Sequence, residues 1–190
     1  MPEGAEWQIN MIQEFHLRED LYTQIPKNGI GCELGVCRGY NAVQLFHLAK
    51  PKKLYLTDVW VNGNTVAAHI RFSAKDYQEQ VSNIFEEQVE SGVVELHKKG
   101  SLKFLLDFDD DYFDWIYLDT GHVFDQTNAE INLCIQKVKA GGLILGDDFT
   151  GGYRWKTGVI RPVINAAQEN KIKITGLTCE AMTNFMAEVL

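Results

Sequence analysis

Short apolar runs alternate with segments of helical spacing from about residue 29 to the end of the chain, and this alternation constrains the fold more than any other feature. Such a pattern is built as βαβ units, which need a parallel sheet with helices packed on its faces. The first run is Gly29-Ile30-Gly31-Cys32-Glu33-Leu34, followed by Ala42, Leu45, Phe46 and Ala49 at i, i+3, i+4, i+7 spacing. A second run, Lys53–Asp58, leads through a longer polar stretch into a helix with Tyr77, Val81, Ile84 and Phe85 on one face. Gly92 closes that helix; residues 93–96 form a third strand and a brief helix is expected over 102–106. The fourth strand is Phe113–Leu118, and the helix after it carries Ile131, Cys134, Ile135 and Val138. Gly141-Gly142 turns the chain into a fifth strand, 143–146, and a further helix carries Ile160, Val163, Ile164 and Ala167. The last two runs, 172–177 and 184–189, stand too close for a parallel crossover and predict an antiparallel hairpin. The N-terminal segment 7–25 reads as a helix with Met11, Phe15 and Tyr22 near one face, inside a helical extension over 1–27. With no repeats and no Pro/Gly-rich linker, residues 1–190 read as a single domain.

Charge and cysteine content narrow the partners. The formal net charge is -8 and the pI about 5.1, and no Lys/Arg cluster is denser than Lys98-Lys99 or Lys52-Lys53. Such a surface repels nucleic acid and anionic membranes at long range, so neither is an expected partner. Cys32, Cys37, Cys134 and Cys179 form no C-x-x-C pair and have no zinc-site spacing. They read as reduced, mostly buried thiols of a cytoplasmic protein. The N-terminus lacks an apolar signal region, and no apolar run reaches membrane-spanning length.

Chemistry concentrates where predicted strands end. Glu33-Leu34-Gly35-Val36-Cys37-Arg38-Gly39 lies at the first strand-to-helix turn, where glycines let backbone approach a ligand closely. Its E-x-G-x-x-x-G spacing differs from the G-x-G-x-x-G of nicotinamide enzymes, and taken alone it fits a plain tight turn as well. Asp58 ends the second strand, 25 residues after Glu33; an acid there can accept both ribose hydroxyls of an adenosine cofactor or act as a turn cap. Gly100-Ser101 follows the third strand, with Ser101 also suited to capping a helix. Asp119 ends the fourth strand, His122 stands three residues on, and Asp147-Asp148 ends the fifth. Neighbouring strands lie about 4.8 Å apart, so in a sheet order that sets the fourth and fifth strands side by side these acids gather on one rim. Consecutive strand residues point opposite ways, so Asp147 and Asp148 can share an ion only beyond the strand's end, and Asp148 equally suits capping of the following loop. The run Asp107, Asp109, Asp110, Asp111, Asp114 lacks EF-hand spacing and reads as a solvated loop. His16, His47, His69 and His97 carry no functional signal, and Arg154, Trp155 and Lys156 read as either a substrate wall or the exposed start of a helix.

The stretch from Phe113 to His122 resembles the FDxIYxDGxH strand, and Gly141 to Phe149 the GGxxxGDDY strand, of small class I S-adenosylmethionine (SAM)-dependent methyltransferases. That family includes macrolide-sugar O-methyltransferases and shares its metal-site layout with catechol and caffeoyl-CoA O-methyltransferases. The resemblance runs from about Gly31 to the C-terminus and is weakest in the N-terminal segment and over 59–74. It implies a doubly wound α/β fold with a seven-stranded, mostly parallel sheet in order 3-2-1-4-5-7-6. It further implies SAM held by Glu33, Gly35, Val36, Gly39, Asp58, Gly100, Ser101 and Asp119. Asp119, Asp147 and Asp148 are its implied ligands for Mg²⁺ or another divalent cation, and His122 its implied general base. Phe124 stands where the family usually has a tyrosine.

These readings lead to a metal-assisted O-methyltransferase acting on a small hydroxylated acceptor, with a homo-oligomer left open. A metal-independent methyltransferase, a nicotinamide-dependent oxidoreductase and a non-catalytic SAM-binding module are the competing readings. The acceptor itself is not encoded in any motif.

Overall fold

The computed structural model describes residues 12–60, 74–150 and 158–190. Its strands are β1 (Gln13–Phe15), β2 (Ile30–Leu34), β3 (Lys53–Asp58), β4 (Val94–Lys98), β5 (Phe113–Leu118), β6 (Val138–Gly146), β7 (Ile172–Thr178) and β8 (Phe185–Val189). The helices are α1 (Arg18–Tyr22), α2 (Tyr40–Ala49), α3 (Ala74–Ile84), α4 (Glu86–Glu90), α5 (Ser101–Leu105), α6 (Phe124–Lys137) and α7 (Ile160–Gln168). All strands join one sheet in the order β1-β7-β8-β6-β5-β2-β3-β4. The expected seven-strand order is present as β4-β3-β2-β5-β6-β8-β7. The terminal hairpin is also as expected: β8 runs antiparallel to both β6 and β7.

The alternation of side chains along each strand divides the core into two layers. Leu54, Leu56, Trp115 and Tyr117 face the layer closed by α1, α2 and α3, where Leu21, Leu45 and Val81 are buried. Cys32, Leu34, Ile116 and Leu118 face the layer closed by α5, α6 and α7, where Phe104, Ile131 and Val163 are buried. Trp115 fits against β2 because its register partner is Gly31; a Cβ at Gly31 would stand 2.0 Å from the indole. No helix among the described residues is long and apolar enough to cross a membrane.

The N-terminal segment departs from the expected helix. In its described part, Gln13–Phe15 is a strand running parallel to β7, with Phe15 opposite Thr178, and only Arg18–Tyr22 is helical. Phe15 packs over Gly176, where an added Cβ would meet its ring at 2.7 Å. The apolar spacing of Phe15 and Tyr22 reflects burial in two different elements, and the exposed edge of β7 gains hydrogen bonds that a helix could not offer it. Trp7 and Met11 lie outside the described residues, as do His69, most of the 59–74 stretch, and Arg154, Trp155 and Lys156.

Smaller departures occur around α6 and β6. Val138, assigned by spacing to the helix, instead pairs with Phe113 as the first residue of β6. The strand then bulges before Leu143 pairs with Trp115, with Gly141 at φ +76°. The acidic run is exposed up to Asp111, as expected, and part of it is also paired. Lys99 contacts Asp107, and Lys137 stands 2.7 Å from Asp110. Asp114 accepts hydrogen bonds from the Ile30 N–H (2.6 Å) and from Lys139 (2.7 Å), tying the starts of β2 and β6 to β5.

Candidate functional site

The direction of the chain reverses between β2 and β5: the sheet grows through β3 and β4 on one side and through β6 on the other. A crevice opens at the carboxyl ends of strands at such a point, and open α/β sheets bind their ligands there. Gly35, Asp58, Asp119 and Asp147 all sit at or just past these strand ends.

The turn after β2 is held on every side. The Gly35 N–H donates to Thr57 O at 2.9 Å, and the Asp119 N–H donates to Leu34 O at 2.9 Å. Gly35 has φ +92°, and a Cβ there would lie 1.8 Å from the Asp119 carbonyl oxygen, so only glycine lets the two loops pass this closely. Val36 is buried beneath the turn, and the Gly39 N–H closes it onto Val36 O at 2.9 Å. Asp58 receives the Cys37 N–H (2.8 Å) on one carboxylate oxygen and the Trp60 N–H (2.9 Å) on the other. Each oxygen has two acceptor positions, so Asp58 keeps capacity for further donors.

Glu33 is 1% exposed, in the strand just before the turn. One of its oxygens accepts from Asn41 Nδ2 at 3.0 Å; the other, Oε2, is buried without a partner. Burial pushes this carboxyl well above the usual range; the Asn41 hydrogen bond opposes the shift, and the charges of Asp119 and Asp58 add to it. Gly100 caps α5, whereas the Ser101 hydroxyl turns inward and donates to Glu130. Glu130, fully buried, also accepts from Thr120 (2.7 Å) and Gln126 (3.0 Å). It therefore joins the loops after β4 and β5. Glu130 shares the stripe Thr127, Glu130, Ile131, Cys134 at i, i+3, i+4, i+7, and a charged residue on an otherwise buried helical face was the signal that could have exposed it.

At the ends of β5 and β6 the structure brings Asp119, His122 and Asp148 together. His122 Nε2 lies 3.1 Å from Asp119 Oδ1, and Nδ1 lies 2.9 Å from Asp148 Oδ2. One ligand atom from each of the three falls within 4.8 Å of the others. Asp148 adopts φ +56°, which turns its carboxylate back toward His122 once β6 has ended at Gly146. Asp147, expected in the same set, points elsewhere. Its Oδ1 accepts from the Asp148 N–H (2.8 Å) and Asn184 Nδ2 (3.1 Å), and its Oδ2 faces Arg18 Nη1 at 3.3 Å. Neither Arg18 nor Asn184 carried a sequence signal.

Electrostatics match this packing. Burial works to lower the His122 pKa, but the flanking Asp119 and Asp148 carboxylates prevail and push it up to about 9. Burial, reinforced by Asp119 and Asp148, pushes Asp147 up to about 6 against the pull of the Asp148 N–H and Arg18. Concentrated negative charge of this kind is relieved either by a proton on the imidazole or by a cation on the carboxylates. The buried Asp148 Oδ1 has no hydrogen-bond partner, and two carboxylates beside an imidazole are a donor set that suits a divalent cation.

A family described as a methyltransferase domain matches residues 32–149, and the chain belongs to that family. The matched segment contains both the turn after β2 and the Asp119, His122, Asp148 cluster. No curated protein matches the chain. Among solved structures it is similar to the O-methyltransferase from Bacillus cereus in complex with SAH (S-adenosylhomocysteine), at 17% identity and TM-score 0.64, over 90% of this chain and 78% of that one. It is similar to TomG from Streptomyces achromogenes, an O-methyltransferase involved in tomaymycin synthesis and bound to SAM, at 15% identity and TM-score 0.65, over 90% and 77%. An rRNA methylase from Streptococcus thermophilus shares the fold at 16% identity and TM-score 0.65, over 91% and 94%.

Proposed function

We propose that this chain transfers the methyl group of SAM to a hydroxyl of a small acceptor molecule, assisted by a divalent cation. The observation that carries this reading is the meeting, at one rim, of the glycine turn at 35–39 with the Asp119, His122, Asp148 cluster. Transfer from a sulfonium is an in-line displacement, so catalysis rests mainly on aligning nucleophile, methyl carbon and sulfur. The turn from Glu33 through Val36 to Gly39 would hold the donor, with Asp58 accepting from its ribose and Gly100 and the Ser101 backbone bordering its base. Asp119 and Asp148 would hold the cation, with Asp147 beside them; Mg²⁺ or a similar ion supplies Lewis acidity to an acceptor hydroxyl. His122 would take the hydroxyl proton as the oxygen attacks the methyl carbon and sulfur leaves as SAH.

The O-methyltransferase neighbours support a small acceptor. The net charge of -8 disfavours the RNA substrate of the rRNA methylase neighbour. Free thiols at all four cysteines favour a cytoplasmic setting. The short contacts of His122 to both acids support a metal-free version in which the carboxylates orient the imidazole, which then serves as a base only as pH rises toward its raised pKa of about 9.

Calorimetric titration with SAH, with and without Mg²⁺, tests the reading. Binding of SAH that tightens with the ion, together with turnover lost in EDTA, is the expected result. Full activity in EDTA removes the metal role, and absence of SAH binding removes the function. In D148A, loss of cation binding with the fold retained marks Asp148 as a ligand, whereas a change in stability alone marks it as structural.

A further inference from the structure

Trp60 follows the acid that ends β3 by two residues and has no part in the reading above. It is 3% exposed, yet its indole is not simply core. Three hydrogen bonds join it to the donor turn in a closed ring. The Trp60 N–H donates to Asp58 Oδ1 (2.9 Å), Asp58 Oδ2 accepts from the Cys37 N–H (2.8 Å), and the Trp60 indole N–H donates to Cys37 O (2.9 Å). Both peptide polar groups of Cys37 are therefore gripped, one by Asp58 and one by Trp60.

The ring encloses an unfavourable backbone. Cys37 has φ +51° and Trp60 φ +35°, a left-handed region that non-glycine residues hold only when their surroundings impose it. The Cys37 residue is exposed, so core packing does not account for the conformation. On the other flank, Gln80 Nε2 donates to Arg38 O at 3.2 Å, and the Arg38 guanidinium lies 4.7 Å from the centre of the Tyr77 ring. The next peptide is thus anchored to α3 rather than to β3. The turn is clamped from two sides, and Trp60 supplies the clamp that acts at the strained residue.

We propose that Trp60 is a positioning residue for the methyl donor: it locks Cys37 in its left-handed conformation and aims the Asp58 carboxylate, so that the donor meets a preformed turn. This rests on the donor-binding reading under Proposed function. Trp60 would act on the donor only through Cys37 and Asp58. A preformed site binds more tightly because little ordering remains to be done on binding.

The test combines W60F, which keeps an aromatic ring but removes the indole N–H, with C37G, which lets the backbone hold a positive φ without help. W60F is expected to weaken SAH binding about three- to tenfold, the effect of one lost hydrogen bond. It is also expected to speed amide hydrogen exchange at Cys37 in the ligand-free protein, leaving β2 and β5 protected. The double variant W60F/C37G is expected to recover most of the affinity. Unchanged affinity and unchanged Cys37 exchange in W60F overturn the proposal, and so does a loss of affinity that C37G fails to restore, which assigns Trp60 to packing alone. If the unsubstituted protein binds no SAH while W60F still speeds Cys37 exchange, the donor reading falls and takes the positioning role with it, although the ring itself stands.

Discussion

Nη1 of Arg18 stands 3.3 Å from Oδ2 of Asp147, so α1 is fastened to the rim that carries the candidate chemistry. The same residue donates its backbone N–H to Glu180 Oε2 at 2.9 Å, spanning to the turn between β7 and β8. Together with β1 on the edge of β7, these contacts make the N-terminal segment part of the site's frame.

Removing this guanidinium tests the frame. R18M keeps most of the apolar stem and the backbone contact to Glu180 but leaves Asp147 with only the Asp148 N–H and Asn184. The pair is partly exposed, so urea denaturation at neutral pH is expected to show a loss of about 1–3 kcal/mol. A loss below a few tenths of a kcal/mol means that the Arg18–Asp147 pair adds nothing to the hold on the N-terminal segment.

Glu33 predicts stability that falls with rising pH. Its pKa is raised in the folded protein above the ordinary 4.5, so its contribution is complete below that value and is lost as pH climbs through the folded one. E33Q keeps an acceptor for Asn41 without the charge. Thermal melts are expected to show E33Q more stable than wild type at alkaline pH, with the difference closing below about pH 4. A difference independent of pH contradicts a charged Glu33 in the core.

Asp114 predicts the opposite slope. Although burial alone would raise its pKa, hydrogen bonds from Lys139 and the Ile30 N–H hold it below the ordinary 3.8. Its contribution is present above that value and disappears as pH falls through the folded one. D114N is expected to cost about 1–2 kcal/mol at neutral pH. The cost should shrink toward zero in strongly acidic solution, and the same pH series of denaturation curves measures both variants.

Gly35 admits no side chain. A methyl group there would overlap the Asp119 carbonyl, and its φ of +92° is itself unfavourable for alanine. G35A is expected to lose more than about 3 kcal/mol or to separate the loops after β2 and β5, with SAH binding abolished in either case. Retention of both stability and SAH affinity would show that the two loops can move apart at no cost.

Glu130 predicts a graded series. E130A removes the shared acceptor of three partly buried donors, from Ser101, Thr120 and Gln126, and is expected to cost about 1–3 kcal/mol. E130Q can still accept on one side, and about 1 kcal/mol is expected. Equal effects of the two variants in denaturant titrations would mean that side-chain volume, not hydrogen bonding, is what matters there.

Much of this arrangement is local and therefore written in the chain. Alternation in β2, β3, β5 and β6 and helical spacing in α2, α6 and α7 depend on neighbours within a few residues. Parallel strands joined by right-handed crossovers bring their carboxyl ends to one rim, so acids at those ends meet there whatever the details of packing. For that reason Asp58, Asp119, Asp147 and Asp148 are legible as candidates in the chain, and His122 through the matched motif that carries it. The tertiary structure alone decided which way those side chains turn. Arg18 reaches Asp147 across most of the chain, Asn184 arrives from the last hairpin, and Phe15 becomes a strand residue because β7 offers it an edge. Trp60 returns to Cys37, and Ser101 turns away from the rim toward Glu130. Each of these outcomes is a choice among partners distant in sequence, settled by what else is buried nearby, and no periodicity along the chain records it.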